Sequence, residues 1–331
     1  FYKNNVSQGT AFSSLASDEY VALFTGIESS FGIFNFGQDS SFAGTKTPQG
    51  FADENGFGDF YYSPPSGHLA CCTQNLSNPG IDPASNQTPS DYFNTVLYSG
   101  NNTQLSVTVG FQPDWVWVKK RNGASSHALQ DSVRGSFRYL VSNSTAAENT
   151  DSGNDWFRSF DSDGFTVSKT TTGGTATTEW NNSGDTYVSW NWLAGGSASS
   201  NSNGSITSSV SANTKAGFSI VSYTGNNTAG ATVGHGLNSA PEMIFIKGRV
   251  ATGADGNWNV YAKPSSDVVN ETDYLLLNST AGATDESGAW NDTAATSSVF
   301  SLGTFADSNG SGKTFIAYCF HSVDGYSKIG S

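Results

Sequence analysis

Pro113-Asp-Trp115-Val-Trp117-Val-Lys119 recurs further along the chain as Pro241-Glu-Met243-Ile-Phe245-Ile-Lys247. Both stretches are dominated by aromatic and aliphatic residues, many of them β-branched, which is typical of a β-strand. Successive residues of a strand face opposite ways. Because both sets of alternate positions are apolar in both copies, this strand is predicted to be central and covered on both faces, as in a β-sandwich of two packed sheets.

Other blocks recur in the same order, which identifies an internal repeat. The matched segments are 93–102 with 218–227, 143–146 with 278–281, 156 with 290, and 183–192 with 311–320. The exchanges between copies keep large apolar side chains, as in Trp190 for Tyr318 and Trp192 for Phe320. The alternating tryptophans at 115, 117, 190 and 192 are therefore predicted to pack in the core and not to form a sugar-binding platform.

The composition predicts an all-β protein. Charged residues make up 13% of the chain, aromatic residues 13%, and there are 37 glycines. Short strands that alternate with Gly-, Asn-, Asp- and Ser-rich turns fit this balance, whereas long helices do not. We predict tandem antiparallel β-sandwich domains of the jelly-roll or concanavalin type, joined by Gly/Ser-rich linkers.

The net charge of −13 argues against a nucleic-acid partner, because phosphate binding needs a basic surface. The sequence has no run of apolar residues long enough to span a bilayer, so no membrane insertion is expected. No dinucleotide or Walker motif occurs, and the histidines lack zinc-ligand spacing, so no cofactor is expected. An acidic, Gly/Ser/Thr-rich surface suits an extracellular protein.

The cysteines do not form a disulfide framework. Cys71 and Cys72 are adjacent, so they are poor partners for each other, and a bridge from either to Cys319 stays open. Cys319 replaces Asn191 at a strand position of the repeat, which favours a buried, inert thiol.

Residues 1–67 differ from the repeat. Their pattern predicts strands at Phe1-Tyr2, Val21–Phe24 and Phe31–Gly37, with a hairpin turn at Asn4-Asn5. So few strands cannot form a sandwich alone, so we expect this segment to be the C-terminal part of a domain that begins upstream of Phe1.

The rest of the chain divides by composition into four parts. Residues 68–90 form a Pro-rich linker, and residues 91–194 form the first copy of the repeat. Residues 195–216 form a Gly/Ser/Asn-rich linker with a short strand at Ile206, and residues 217–331 form the second copy. Thr145-Ala-Ala-Glu148 has capping-box spacing, which predicts one helical turn in the first copy.

Two resemblances follow from these motifs. Phe1-Tyr-Lys-Asn-Asn5, followed by Phe34-Asn-Phe36-Gly37, resembles the closing strands of SPRY domains, which are concanavalin-like β-sandwiches. From about residue 61 to the end, the chain resembles a domain of unknown function in tail-fibre-like and other virion proteins of marine bacteriophages, including cyanophages. The motifs that carry this second resemblance include Tyr61-Tyr-Ser-Pro-Pro65, Trp190-Asn-Trp192 and Ala317-Tyr-Cys-Phe-His-Ser-Val-Asp-Gly325.

The resemblance implies a virion structural protein, and we expect a tail fibre or similar appendage that attaches the particle to the host cell surface. Appendages of this type imply a homotrimer that contacts other virion proteins and a host surface glycan. The alternatives are a capsid decoration or head-fibre protein and a lectin-like adhesin of a bacterial cell surface. A polysaccharide depolymerase would need a carboxylate pair at a cleft, and because the sequence marks none, we expect no enzyme.

Loop aromatics are the candidates for glycan or subunit contacts. Exposed aromatic rings can stack on sugars, and these candidates lie near predicted loops: Tyr61, Tyr62, Trp156, Trp180, Trp258 and Trp290.

Polar candidates are weaker. Asp161 and Asp163, and likewise Asp53-Glu-Asn-Gly56, could offer oxygens to Ca²⁺, but they lack the acidic twelfth residue of an EF-hand loop, so turn formation is favoured. His127 and Asp131 lie near two serines, but the surrounding sequence resembles no nucleophile elbow, so a structural histidine is favoured.

Overall fold

The computed structural model describes residues 2–3, 6–7, 34–75, 80–82, 85–150, 156–168, 180–250, 256–263 and 272–330. The chain forms two compact units, Phe1–Asn78 and Pro79–Ser331, which we call the N-terminal unit and the repeat unit. Within the described ranges, no helix combines the length and the apolar character that a membrane span requires.

The N-terminal unit consists mainly of turns in its described part. Strands β1 (Tyr2–Lys3) and β2 (Val6–Ser7) pair antiparallel, which confirms the predicted hairpin. The predicted strand Val21–Phe24 lies outside the described residues. Residues 34–37, the described part of the predicted strand Phe31–Gly37, form bends and not a strand, so that part of the prediction is wrong. A 3-10 turn, Thr73–Asn75, lies near the end of the unit.

The first repeat is an antiparallel β-sandwich. Its strands are β3 (Phe93–Ser99), β4 (Leu105–Thr108), β5 (Trp115–Lys120), β6 (Ala128–Asp131), β7 (Arg138–Val141), β8 (Asn149–Thr150), β9 (Phe157–Asp161), β10 (Gly164–Val167) and β11 (Thr186–Trp192). A six-stranded sheet has the order β3-β11-β5-β6-β7-β8, and a three-stranded sheet has the order β4-β10-β9. The core between them includes Val116, Phe157, Phe165 and Trp180.

The second repeat contains counterparts of the large-sheet strands of the first repeat and adds two strands at one edge of that sheet. Its elements are β12 (Ser199–Asn201), β13 (Ser208–Asn213), β14 (Phe218–Thr224), β15 (Ala231–Gly234), β16 (Met243–Gly248), β17 (Trp258–Ala262), β18 (Asp273–Leu276), β19 (Thr284–Asp285), α1 (Ser287–Trp290), β20 (Val299–Leu302), α2 (Ala306–Asn309) and β21 (Thr314–Phe320). An eight-stranded sheet has the order β12-β13-β14-β21-β16-β17-β18-β19, and β15 pairs with β20. The all-β sandwich fold is thus confirmed.

The segment between the repeats is not a flexible linker, and the prediction for residues 195–216 is wrong. Strands β12 and β13 lie in this segment, and β13 pairs with β14 along its whole length, from Ser208↔Tyr223 to Asn213↔Phe218. The few apolar residues of the segment, Ile206 and Val210, are buried in the core of the second repeat. The expected strand contact at Ile206 is present as a bridge to Val233.

One turn shows the duplication at atomic detail. After β3, the Gly100 amide donates to Asp185 and the Asn102 amide donates to the carbonyl of Asn181, while the hydroxyl of Tyr98 donates to the carbonyl of Trp180. A Cβ on Gly100 would lie 2.2 Å from the carbonyl oxygen of Asn182, so only glycine fits there.

The turn after β14 repeats these bonds. The Gly225 amide donates to Lys313, the Asn227 amide donates to Asn309, and the hydroxyl of Tyr223 donates to Ser308. Asn102 and Asn227 have φ of 56° and 55°, in the left-handed region. The recurring Tyr-x-Gly-Asn-Asn motif is therefore explained by one conserved turn.

The large sheets of the two repeats face each other, and a third apolar core lies between them. Trp115 of β5 is fully buried there and stacks on Tyr318 of β21, with ring centroids 4.2 Å apart and planes 16° apart. Trp258 adds a hydrogen bond from its indole nitrogen to the carbonyl of Val141, 2.9 Å away. The predicted coverage of both strand faces is confirmed, but the second face is covered by the other repeat.

A buried polar cluster accompanies this core. Asp131 and Arg134 form an ion pair with both side chains fully buried, and Tyr318 donates a hydrogen bond to Asp131 at 2.7 Å. Burial opposes the charged guanidinium, but Asp131, Tyr318 and Glu148 more than offset it, so the pKa of Arg134 is raised. The cluster thus joins the two repeats through a charged group that has no exposure to water.

Glu148 extends the cluster to the edge of the contact. Its carboxylate accepts two hydrogen bonds from Arg249 of the second repeat, both of 2.9 Å, and it also pairs with Arg134 and Arg138. Residues 144–148 form no helix, so the helical turn predicted at Thr145–Glu148 is wrong. The carboxylate that was expected to cap a helix instead bonds across the two repeats.

The cysteines are free thiols: Cys71 is exposed, Cys72 is half-buried and Cys319 is buried. Burial raises the pKa of the Cys319 thiol, which keeps it protonated and unreactive. The structure therefore supports the inert-thiol interpretation of Cys319.

Candidate functional site

The N-terminal unit contains an open cleft of about 490 Å³, which we call the aromatic cleft. Its lining residues are Phe34, Asn35, Phe36, Phe42, Phe60, Tyr61, Tyr62, Ser63, Pro64, Pro65, His68, Leu69 and Cys71. None of these is Asp, Glu, Lys or Arg. The cleft therefore offers aromatic surface with a few neutral polar groups, the usual composition of a small-ligand site.

Tyr61 and Tyr62 form the centre of the aromatic surface. Their rings meet edge to face with centroids 4.9 Å apart, and Phe42 packs on Tyr61 at 5.7 Å. Tyr62 is 52% exposed, so one ring of this group is open to solvent. The structure thus brings together two of the predicted loop aromatics.

Phe34, Phe36 and Leu69 complete the rim, a role that the sequence analysis does not predict for them. They are 41%, 49% and 42% exposed, unusually high for large apolar side chains. In the sequence, Phe34-Asn-Phe36 has the alternation of a strand, and it was part of the predicted strand Phe31–Gly37. An aromatic pair in a bend and one in a strand have the same local pattern, so no sequence signal separated them.

Asp53 holds the loops beneath the cleft in place. One carboxylate oxygen accepts from the amides of Asn55 and Phe57 at 2.9 and 3.0 Å, and the other accepts from the Ala70 amide at 2.8 Å. The Asn75 side chain donates to the same oxygen as Ala70. Desolvation opposes ionisation, but these donors lower the pKa of Asp53 to about 2. Both oxygens serve the turns, which supports the turn interpretation of residues 53–56.

Two glycines bring the backbone close to Phe60, a lining residue of the cleft. Gly37 and Gly58 have φ of 98° and 89°, and a Cβ on either would lie within 2.7 Å of the Ala70 side chain. Asn35 secures the first of these turns because its side-chain oxygen accepts from the Gly37 amide at 2.6 Å. The rim is thus supported by a close-packed, hydrogen-bonded base.

The predicted tryptophan candidates lie elsewhere, and most of them are wrong as surface contacts. Trp180, Trp258 and Trp290 are at most 1% exposed and belong to the cores of the repeat unit. Trp156 is half-buried and meets Tyr139 edge to face at 5.1 Å. Their positions near loops did not expose them, because the three side chains pack into apolar cores of the repeat unit. The predicted core role of Trp115 is confirmed, and Trp117, Trp190 and Trp192 are half-buried in the same sheet.

The acidic candidates have structural partners. Asp161 accepts hydrogen bonds from the hydroxyls of Ser159 and Thr166, both at 2.6 Å. The carbonyl of Asp163 accepts from the amides of Val109 and Gly110, which closes the β9–β10 turn onto the end of β4. In the described part of the chain, no group of three or more His, Cys, Asp or Glu side chains could hold a metal ion.

His127 and Asp131 do not meet in a catalytic arrangement. The indole nitrogen of Trp117 donates to Nδ1 of His127 at 3.1 Å, while Asp131 is bound to Arg134 and Tyr318. Burial and Lys119 lower the pKa of His127, which keeps the ring neutral as the acceptor of that bond. The structure supports the structural interpretation of both residues.

Comparison with known proteins identifies one family. The model of the family described as "Domain of unknown function (DUF7483)" matches residues 88–331, which is most of the chain and nearly all of the repeat unit. The chain therefore belongs to this family. No curated protein and no solved structure matches it.

Proposed function

We propose that this member of the DUF7483 family is a structural protein of a bacteriophage virion, a tail fibre or similar appendage that attaches the particle to a glycan on the host cell surface. The observation that carries the proposal is the aromatic cleft, where Tyr61, Tyr62 and neighbouring phenylalanines present an uncharged aromatic surface. Tyrosine suits such a role because it offers a large apolar face and a polar tip at low entropic cost.

The repeat unit supports a structural role. Two sandwiches that share a third core form one rigid block, as a stalk or spacer requires, and the family resemblance in the sequence points to virion appendages. The proposal includes assembly as a homotrimer, contact with other virion proteins, no catalytic role and no nucleic-acid partner. The net charge of −13 supports the last point.

Glycan binding tests the cleft directly. The purified chain should bind neutral oligosaccharides on a glycan array, and Tyr62→Ala should reduce the affinity for the best binder at least tenfold. Phe57→Ala is the matched control, because Phe57 is 38% exposed in the same unit but does not line the cleft. Equal loss in both variants, or no binding by the parent chain, would overturn the attachment role.

Location on the particle is tested separately. Antibodies against the chain, viewed by electron microscopy on intact phage, should label the tail. Label on the head would replace the appendage by a capsid decoration or head fibre, and label on bacterial cells alone would favour a lectin-like adhesin. Release of reducing ends from host polysaccharide by the purified chain would contradict the non-enzymatic role.

A further inference from the structure

The two repeats differ at one edge of their large sheets. In the second repeat, β14 lies inside the sheet, between β21 and β13. In the first repeat, the equivalent strand β3 pairs with β11 on one side and, among the described strands, with none on the other. The duplication therefore provides an internal template that shows what a covered β3 looks like.

The free edge of β3 is defined by the hydrogen-bond pattern. The amide of Gly100 donates to Asp185, and the Leu193 amide donates to the carbonyl of Tyr92. In an antiparallel pair, alternate residues point their backbone groups to the partner. Even-numbered residues of β3 therefore bond to β11, and Phe93, Thr95, Leu97 and Ser99 direct their N–H and C=O groups outward.

The same positions in the second repeat are paired. Phe218, Ile220 and Ser222 are the counterparts of Phe93, Thr95 and Leu97, and they face Asn213, Ser211 and Ser209 of β13. The two strands also differ in burial: Phe218 and Ile220 of β14 lie in the core between the repeats, whereas every second residue of β3 from Thr95 onward is exposed. Leu97 is 59% exposed, which is high for a leucine in a sheet.

The first repeat lacks a donor of its own in the described chain. The second repeat receives β12 and β13 from the residues directly before β14. The corresponding sequence before β3 contains Pro79, Pro83 and Pro89. Proline cannot donate to a strand ladder, and residues 80–82 and 85–92 form no strand.

Strand β3 lacks the features that usually protect an edge strand from pairing with another chain. Natural edge strands are usually kept short or carry charges or proline, which prevents unwanted pairing. The other outer strands of the two large sheets, β8, β12 and β19, have two, three and two residues. Strand β3 has seven, Phe-Asn-Thr-Val-Leu-Tyr-Ser, with neither charge nor proline.

We propose that the free edge of β3 is a strand-addition site, filled in the assembled protein by an extended strand of a second copy of this chain that lies antiparallel to β3 as β13 lies against β14. The inference deepens the homo-oligomer part of the proposed function and rests on it. A second copy presents the same free edge, and among the described outer strands of the large sheets only β3 is long and uncharged, so two copies can meet there without bringing charged strand residues together. Backbone hydrogen bonds supply the affinity in such an interface.

An edge proline tests the site. Thr95→Pro removes only an outward-facing N–H, so the β3–β11 ladder keeps its bonds, but a strand can no longer add. The matched control is Leu97→Ser, which places the residue of the second repeat at this position and leaves the edge backbone intact. Light scattering after size exclusion should show an oligomer for the parent chain and for Leu97→Ser, and a monomer for Thr95→Pro. A monomeric parent chain, or an oligomeric Thr95→Pro variant, would overturn the proposal.

Amide hydrogen exchange of the parent chain keeps the test valid if Thr95→Pro fails to fold. In the oligomer, the amides of Thr95 and Leu97 should exchange as slowly as that of Val96, which bonds to β11. Fast exchange at residues 95 and 97 beside a slow Val96 would contradict strand addition. Tail labelling and glycan binding do not depend on this edge, so failure here and failure of the attachment role are distinguishable.

Discussion

The two repeats present the same strands to each other, but they use different positions for the contact. Trp115 of the first repeat is fully buried at the centre of the shared core, whereas its counterpart Met243 is only half-buried. Conversely, Tyr318 of the second repeat is fully buried on Trp115, whereas its counterpart Trp190 is half-buried. The duplication kept the scaffold and made its two faces complementary, so the copies are not interchangeable.

The largest expected effect concerns the pair Trp115 and Met243. Trp115→Ala removes the ring that stacks on Tyr318 and should lower the free energy of unfolding by about 4 kcal/mol. Met243→Ala, at the equivalent but half-buried position, should cost about 1–2 kcal/mol. Urea denaturation followed by tryptophan fluorescence and circular dichroism measures both. Equal losses of stability would contradict the proposed difference between the two equivalent positions.

The buried ion pair offers the second test. Arg134→Ala leaves the Asp131 carboxylate buried without its cation, which should cost about 3 kcal/mol. Arg138→Ala is the matched control, because Arg138 pairs with Glu148 while its side chain is 48% exposed, and it should cost less than about 1 kcal/mol. Urea denaturation of both variants at low and high salt measures the two losses in the free energy of unfolding. A small loss for Arg134→Ala would mean that the cluster does not fasten the repeats.

Lysine counterparts allow a comparison in pH. Lys247 is fully buried and donates to the carbonyl of Gly256, and desolvation, partly offset by Asp307, lowers its pKa to about 8, whereas its counterpart Lys119 is half-buried. The unfolded chain holds this proton up to a pH of about 10.4, so the folding penalty is present below pH 8 and shrinks as the pH rises above it.

Relative to Lys247→Met, the parent chain should therefore gain roughly 2 kcal/mol of stability between pH 7 and pH 10. Lys119→Met, at the half-buried counterpart position, is the matched control for other titrating groups. Chemical denaturation at several pH values gives both differences. If the stability difference between Lys247→Met and the parent did not change with pH, the Lys247 amine would not be a buried charged group.

The smallest expected effect concerns the turn that both repeats share. Asn102→Ala and Asn227→Ala each place alanine in the left-handed region, which should cost about 1 kcal/mol in either repeat. The shift of the unfolding midpoint should be the same for both variants within error. Unequal shifts would indicate that the two turns, which share their hydrogen bonds, differ in strain.

The strands of the repeat could be predicted from the sequence because their pattern is local. Phe93–Ser99, Trp115–Lys120 and Thr186–Trp192 and their counterparts are short runs rich in aromatic and β-branched residues, and duplication supplied a second example of each. What covers the faces of a strand is not local information. Apolar residues on both faces correctly predicted a covered strand, but they did not indicate that its second face packs against the other repeat.

The errors have related causes. Residues 195–216 have the composition of a tether, and their role as strands depends on pairing with β14, which composition does not encode. Trp180 and Trp258 adjoin loops in the sequence but are buried, because a ring beside a turn can point inward. At the candidate site, Tyr61 and Tyr62 were predicted, whereas Phe34 and Phe36 were assigned to a strand.

The pairing of β13 with β14 has a mechanical consequence. As a free tether, residues 195–216 would let the repeats separate by roughly 70 Å under tension. Because the segment is held in a sheet and the repeats share a core, a pulling force meets hydrogen-bonded strands and not slack chain. Force applied between the repeats would therefore meet resistance until the shared core and the strand pairing break, with no elastic extension between the repeats beforehand.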